Sequence, residues 1–305
     1  LIAAIITQVT LRYFFDINFP KLDEVQWHFY ALVTMIGISY AMVTDSHVRV
    51  DILYTPLSKK SKRLIEIIGI LALLTPFIYL MIDQGLDYFF DSYRVNERSD
   101  SPTGLPARWA LKAVIPISFC LLAIGALARL IHDIHALWAN HESEKVGKDL
   151  KIILIAFIFF AALGYGLTHL VESTEDKLVI TMFMTFIALL FSGFPVAWVL
   201  AGVGVGFCGI SYMFDNDMMK WTGLESTLSG LDYLTLGTVV NRTYSTMTSA
   251  VLVALPMFIF MGLMLDESGV AERLMKSMQK LFGTVRGGLA ITVALIGIIL
   301  AASTG

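Results

Sequence analysis

Nine apolar runs divide this sequence, and most of them are long enough to cross a lipid bilayer, which takes about 20 mainly apolar residues. The mean hydropathy is +0.72 and only 15% of the residues are charged. This composition excludes a soluble globular domain and predicts an all-α polytopic membrane protein. The runs lie at residues 1–15, 25–43, 64–82, 113–131, 152–170, 178–191, 194–214, 250–265 and 289–305.

The basic residues between the runs predict the orientation of the chain. If residue 1 is cytoplasmic and the spans alternate, 13 of the 22 basic residues face the cytoplasm. Cytoplasmic loops of membrane proteins carry an excess of Lys and Arg, above all close to a span. We therefore predict that Lys59–Arg63 and His132–Lys151 are cytoplasmic, and that Arg94–Arg108 and Glu172–Asp176 are periplasmic.

A small polar cluster, Ala301–Gly305, follows the apolar run Leu289–Leu300. Lipid cannot satisfy the backbone of a broken helix, so such a cluster is packed in protein or lines a cavity. Secondary transporters build ion and substrate sites from broken helices near the membrane midplane. Ser303 and Thr304 offer oxygen atoms to a hard cation such as Na⁺; alternatively, both hydroxyls bond to the preceding helical turn. Gly305 favours a turn or close packing.

Two halves of different composition, the second richer in glycine within its apolar runs, meet at the polar segment His132–Lys151. The run after it, Ile152–Leu170, would carry the chain back across the membrane, as is needed to join a module that ends inside to one that begins outside. Beyond it, Asp266–Arg286 has the spacing of an amphipathic helix, either on the cytoplasmic membrane surface or packed on protein. The domains that we predict are a four-helix module (1–140), a connector with an extra transmembrane helix (141–175) and the first part of a second module (176–305).

Patterns that would indicate an enzyme or a nucleic-acid-binding protein have simpler explanations. The net charge of −3 provides no basic array for nucleic acid. Gly202–Gly206 lies inside an apolar run with no strand before it, so helix packing is preferred to a nucleotide loop. One polar group could be considered for a metal, but its spacing matches no familiar zinc pattern, and a solvated face is preferred. That group is His132, His135, His141, Glu142 and Glu144.

Several short motifs follow one another in the second half: Gly193–Ala197, Leu255–Gly262, Glu267–Gly269, Gly287–Ala290 and Ala301–Gly305. Their order and spacing closely resemble the large membrane subunit of tripartite ATP-independent periplasmic (TRAP) transporters. Residues 1–140 are similar to the four-helix small membrane subunit of that family. This second resemblance rests on Asp23–Trp27, which opens the second span, and on the polar turn Asp45–Asp51. The expected protein is a fused small-plus-large subunit, cut within the large part.

This resemblance implies a multi-pass protein of the bacterial inner membrane that imports an organic acid, for example a dicarboxylate or sialic acid. Import would be coupled to sodium, and a periplasmic substrate-binding protein would deliver the substrate. The large part would be similar to elevator-type carriers with inverted repeats. Its first re-entrant hairpin would open at Ser303, Thr304 and Gly305, which would bind sodium or substrate. The small part would be a static scaffold, surrounded by membrane lipid. No catalytic activity and no cofactor other than the coupling ion are implied.

Two other functions are compatible with a polytopic membrane protein. One is a non-transporting assembly or sensor protein, which a catalytic domain or a signalling helix would favour; the sequence shows neither. The other is a carrier that works without a binding protein. The four-helix first half argues against such a carrier, because a carrier working alone has no need of that module.

Overall fold

The structure is a computed structural model, and it describes residues 1–50, 52–99, 104–139, 146–215, 236–282, 287–288, 290–294 and 297–298. The regular structure of these residues is helical, apart from one isolated antiparallel bridge between Arg49 and Pro195. The prediction of an all-α polytopic membrane protein is confirmed.

The helices follow the apolar runs in order. They are α1 (Ile2–Phe14), α2 (Pro20–Thr44), α3 (Lys59–Gly69), α4 (Thr75–Arg94), α5 (Arg108–Ala139), α6 (Val146–Thr168), α7 (Thr174–Phe191), α8 (Val196–Asp215), α9 (Thr238–Met247), α10 (Ala250–Val253), α11 (Leu255–Glu267) and α12 (Val270–Phe282).

Five of the helical segments in the described residues are long and apolar enough to cross a membrane. They are Pro20–Thr44, Lys59–Arg94, Arg108–Trp138, Lys151–Thr168 and Val196–Met213. A sixth span is possible if Thr238–Met247 and Ala250–Leu265, which meet at a bend of 46°, count as one broken span. The last predicted run, from residue 289 onward, lies largely outside the described residues.

A π-helical turn, Ile70–Leu74, joins α3 to α4 within one span. Its cause lies two residues further on. Pro76 has no backbone N–H to donate to the carbonyl four residues before it, so a regular α-helix would lose a bond there. The wider turn absorbs this defect, and the Thr75 hydroxyl donates to the Ile70 carbonyl at 2.7 Å.

Two helices extend further than the sequence analysis predicted. The apolar runs at 64–82 and 113–131 leave residues 83–112 between them, but α4 continues to Arg94 and α5 begins at Arg108. At its other end α5 runs through His132 to Ala139, into the polar segment His132–Lys151. An apolar run marks only the lipid-embedded part of a helix, whereas charged residues with good helix propensity continue it into water.

The described residues form two compact units. The first contains α1, α2 as far as Ala31, and α10 to α12. Within it, Gln8 of α1 donates to Asp23 of α2 at 2.7 Å, and Glu24 accepts from the Leu105 backbone N–H at 2.5 Å. The second contains the rest of α2, α3 to α8 and α9 as far as Tyr244, with α4 packed along α5 and α6 along α7.

Candidate functional site

The predicted ion site, Ser303, Thr304 and Gly305, lies outside the described residues and stays a prediction. Of the polar group weighed as a metal site, His132 and His135 are exposed near the end of α5, and the other three members also fall outside the described residues. The site that the structure does describe is a junction within the second unit, where helices of the first half meet α6, α7 and α8.

Backbone contacts join the two halves at the break between α7 and α8. The Val196 N–H donates to the Val48 carbonyl at 3.0 Å, next to the bridge between Arg49 and Pro195. Gly193 has φ +91°, and a Cβ atom there would lie 2.5 Å from Cδ2 of Tyr54. Only glycine fits this position, because any other residue would be strained and would also collide with the ring.

Close helix contact continues along α8. A Cβ atom on Gly202 would lie 2.6 Å from the Cα atom of Leu73, in the π-helical turn, and one on Gly69 would lie 2.8 Å from the Phe194 ring. Small residues let membrane helices approach this closely, so that dispersion contacts hold them together. The buried core of the contact consists of Leu57, Ile65, Phe194, Val199 and Val203.

The start of α3 is tied to α6. Ser58 caps the helix by accepting from the Ser61 N–H at 3.3 Å. Asp149 of α6 accepts from the Ser58 N–H and from the Ser61 hydroxyl, both at 2.8 Å. A carboxylate at a helix N-terminus is stabilised by the unpaired N–H groups there. The helix that connects the halves is therefore anchored by a buried charge-assisted contact.

Charged side chains from three segments, together with the hydroxyl of Tyr54, form what we call the inner cluster: Asp45, Arg49, Tyr54, Glu66, Arg129 and Asp133. Its centre is Arg49–Glu66, with 2.5 Å between Nη1 and Oε1 and side chains only 7% and 4% exposed. Arg129 lies 3.5 Å from Glu66 and 3.3 Å from Asp45, and its Nε donates to Asp133 at 3.2 Å. Buried charges are tolerated when they are paired in this way.

Two residues of the loop after α2 have shifted pKa values. Burial, assisted by the Glu66 carboxylate, raises the pKa of Tyr54 to about 12 although Arg49 opposes the shift. Burial and then the charge of Arg49 lower the pKa of His47, whose ring packs edge-on against Trp198 at 6.0 Å. At neutral pH both rings are therefore uncharged, as packing against α8 requires.

At the opposite end of the same helices lies what we call the outer cluster: Tyr88, Glu97, Arg108, Lys112 and Tyr244. Lys112 Nζ lies 2.5 Å from Glu97 Oε2 and 4.0 Å from the centre of the Tyr88 ring. Arg108 Nε donates to the Tyr244 hydroxyl at 2.7 Å. Since Tyr244 belongs to the second half, its contacts with Arg108 and with the Tyr88 ring join the two halves at this end of the junction.

Replacing Glu97 with glutamine is expected to remove an acid-sensitive contribution to stability. Burial acts to raise the pKa of Glu97, but hydrogen bonds from Lys112 and Ser92 and the charges of Lys112 and Arg108 outweigh it and lower that pKa below its usual value of 4.5. The contribution is therefore complete above pH 4.5 and is lost as the pH falls through the lowered pKa. Thermal unfolding in detergent should show that Glu97→Gln is about 1.5–3 kcal/mol less stable than the wild type at neutral pH. When the pH is lowered, the variant should lose less stability than the wild type does.

The matched control is Asp91→Asn, which removes an ion pair to Arg94 whose side chains are 77% and 75% exposed. That change should alter neither stability nor its pH dependence, because exposed pairs contribute little. Equal effects of the two substitutions would contradict the role given to Glu97.

Between the two clusters lies an apolar cavity of about 770 Å³. Met35, Phe77, Phe119, Trp198 and Ala201 are among its lining residues, and none of the lining residues is an acid, a lysine or an arginine. The carboxylate of an organic acid needs cations or several hydrogen-bond donors, and the mainly apolar lining of this cavity does not supply them. The cavity therefore suits apolar chains rather than a carboxylated substrate.

Sequence reasoning missed the inner cluster. Glu66 and Arg129 each lie within or beside an apolar run, where an ionisable residue by itself suggests a buried partner. That signal was available for both, but the sequence does not show which basic residue meets which acid. Pairing depends on the loop after α2 folding back against α3 and α5.

Comparisons with known proteins bear on both halves. Residues 1–136 match the family described as tripartite ATP-independent periplasmic transporters, DctQ component, and residues 183–305 match the DctM component. A curated relative, the sialic acid TRAP transporter permease protein SiaT of Haemophilus influenzae (strain 86-028NP), is 22% identical over 298 residues. The match covers 93% of this chain and 42% of that relative, so the chain spans about two fifths of its length.

Proposed function

We propose that this chain, which belongs to the tripartite ATP-independent periplasmic (TRAP) transporter family, forms part of a permease that receives its substrate from a periplasmic binding protein. Members of this family are multi-pass proteins of the bacterial inner membrane and transport solutes rather than catalyse reactions. One observation carries the proposal: matches to both membrane components lie in order on a single chain. The junction, where Val196 donates to the Val48 carbonyl and Arg108 donates to the Tyr244 hydroxyl, fits two components that work as one permease.

The proposed substrate is an organic acid. The support is the sialic acid permease among the relatives, because sialic acid is a carboxylated sugar. Selection among organic acids, including dicarboxylates, would be made largely by the binding protein, which captures the substrate first. The apolar cavity at the junction has no charged lining and is therefore not the proposed substrate site.

The test is uptake by proteoliposomes that contain the full-length permease. We expect accumulation of a labelled organic acid only when the binding protein is added and a sodium gradient points inward. Uptake without the binding protein would favour a carrier that works alone, and no uptake of any organic acid would favour an assembly or sensor protein. Uptake that requires the binding protein but does not depend on the sodium gradient would refute the sodium coupling and leave the permease assignment unchanged.

Sodium is the proposed coupling ion, with Ser303 and Thr304 among its ligands and Gly305 at the turn beside them. In the full-length protein, Ser303→Ala combined with Thr304→Val should raise the sodium concentration needed for half-maximal uptake. Losing one charge-assisted contact costs about 1.5–3 kcal/mol of binding free energy. This corresponds to an increase of roughly 10-fold or more in that sodium concentration. Binding-protein docking should be unchanged.

The control is the double variant Thr181→Val and Ser277→Ala. Both hydroxyls bond only to the preceding helical turn, Thr181 at 2.7 Å to the Lys177 carbonyl and Ser277 at 2.9 Å to the Arg273 carbonyl. The control therefore shows what is expected if the hydroxyls of Ser303 and Thr304 also bond only to the preceding helical turn. If both double variants keep wild-type sodium dependence, the hydroxyls at 303 and 304 are not sodium ligands.

A further inference from the structure

A basic pocket of about 250 Å³ opens between α3 and α5, beside the inner cluster. Four cations and two carboxylates line it, together with a tyrosine and a histidine: Tyr54, Lys59, Lys62, Arg63, Glu66, Arg129, His132 and Asp133. Its charge is therefore positive. The pocket belongs to the small-subunit-like part and lies apart from the predicted ion site.

The acids of this pocket are already engaged. Glu66 pairs with Arg49 and Arg129, and Asp133 pairs with Arg129. Both carboxylate side chains are only 4% exposed, so they face the ion-pair network more than the open pocket. They neutralise the cations of the inner cluster and leave the charge at the mouth of the pocket uncompensated.

Three cations at the mouth have no acidic partner among the residues that the structure describes. Lys62 donates to the Thr55 carbonyl at 3.2 Å, and Arg63 donates through one Nη atom to the Ala136 carbonyl at 2.7 Å. An ammonium has three N–H donors and a guanidinium has five, so most of their donors stay available. Lys59 is exposed. All three side chains line one pocket, and charge-assisted hydrogen bonds from several cations are what a phosphate group requires.

The position of the pocket favours a lipid as the source of that phosphate. By the predicted orientation, Lys59–Arg63 lies at the cytoplasmic end of its span, next to the apolar run that begins at Leu64. Basic pockets between transmembrane helices on this side bind anionic head groups. A second cavity of about 270 Å³ shares Arg129 and His132 with the basic pocket. Its other lining residues, Val43, Gly125 and Ala128, are apolar or small, so it suits an acyl chain.

We propose that the basic pocket binds the phosphate of an anionic phospholipid from the cytoplasmic leaflet, with one acyl chain in the adjoining cavity. The phosphate accepts hydrogen bonds from Lys59, Lys62 and Arg63, none of which is needed to neutralise the inner cluster. Bound there, the lipid bridges α3 and α5 and stabilises the small-subunit-like part. The proposal does not depend on which substrate is transported.

The test uses the full-length permease purified in a neutral detergent. Phosphatidylglycerol, phosphatidylcholine and inorganic phosphate are added separately, and thermal unfolding is recorded. Phosphatidylglycerol should raise the Tm of the wild type by several degrees, and the other two should have little effect. In the triple variant Lys59→Gln, Lys62→Gln and Arg63→Gln, most of that shift should disappear. Native mass spectrometry should show that the triple variant has also lost the anionic lipid that the wild type retains.

The matched control removes three cations from α12, by Arg273→Gln, Lys276→Gln and Lys280→Gln, and should keep the full shift. If the triple variant does not fold, Lys59→Gln alone serves, because Lys59 is exposed and should lose part of the shift without unfolding. An undiminished shift in the pocket variants, or an equal loss in the control, would overturn the proposal. An equal effect of inorganic phosphate would assign the pocket to a soluble anion instead.

Discussion

Gly202→Ala should destabilise the junction between the two halves more than alanine at any other glycine of α8. The new Cβ atom would lie 2.6 Å from the Cα and Cβ atoms of Leu73. Leu73 lies in the π-helical turn, so its backbone cannot yield without disturbing the whole span. Overpacking of this kind costs typically 1–3 kcal/mol, occasionally more. Thermal unfolding of the full-length permease in detergent measures the effect.

The same helix provides the control. A Cβ atom on Gly204 or Gly206 would meet nothing within 4 Å. Alanine is the better helix former by about 0.8–1.0 kcal/mol, so Gly204→Ala should be neutral or stabilising. A second readout is association of the halves: with the chain cut near residue 145, co-expressed fragments should co-purify in the wild type and in Gly204→Ala, and less in Gly202→Ala. Equal behaviour of the two variants would contradict the contact.

Removal of Glu66 is expected to cost about 3–5 kcal/mol, because it leaves a buried cation without its partner. Arg49 is 7% exposed, and its Nη1 lies 2.5 Å from Glu66 Oε1. Arg129 also approaches Glu66, at 3.5 Å. Glu66→Gln keeps the size of the side chain and removes only the charge, so unfolding measured on this variant reports the electrostatic loss.

Glu272→Gln is the matched change on an exposed helix. The Glu272–Lys276 pair has the same separation, 2.5 Å, but its side chains are 68% and 66% exposed. Such exposed pairs contribute little to stability, because water and salt screen them. The double variant Glu66→Met and Arg49→Met should recover much of the lost stability, because replacing a buried pair by apolar residues is often neutral. If Glu66→Gln and Glu272→Gln reduce stability equally, the inner cluster is not buried as described.

The class of the fold followed from the sequence because lipid imposes a length on apolar helices. A run of about 20 such residues is a strong signal, and residues 25–43, 64–82 and 113–131 each became part of a helix. Helix ends were predicted less well. Arg94 and Arg108 bound a shorter loop than hydropathy indicated, because hydropathy reports burial in lipid rather than the backbone conformation beyond it.

The contacts of the junction could not be predicted for a different reason. Gly202, Gly204, Gly206 and Gly209 have similar sequence surroundings, yet a Cβ atom would collide only at Gly202. Which glycine meets a neighbour depends on the rotation of α8 against the π-helical turn, and no local pattern encodes that rotation. The predicted ion site differs again: motif order suggested Ser303 and Thr304, and that prediction awaits the uptake experiment.

The π-helical turn has a consequence for how this span can change over time. An α-helix rotates by about 100° per residue, and a π turn holds one residue more than the α-helical path needs. The segments on either side are therefore out of register, α3 facing α5 and α6, and α4 facing α5, where Gly85 lies against Pro116. Deleting one residue within Ile70–Leu74 would restore the α-helical path and leave α4 facing α5, whereas deleting one residue elsewhere in the span would rotate the part beyond it by about 100°. The turn thus marks the place where this span can gain or lose one residue while both segments keep their packing partners.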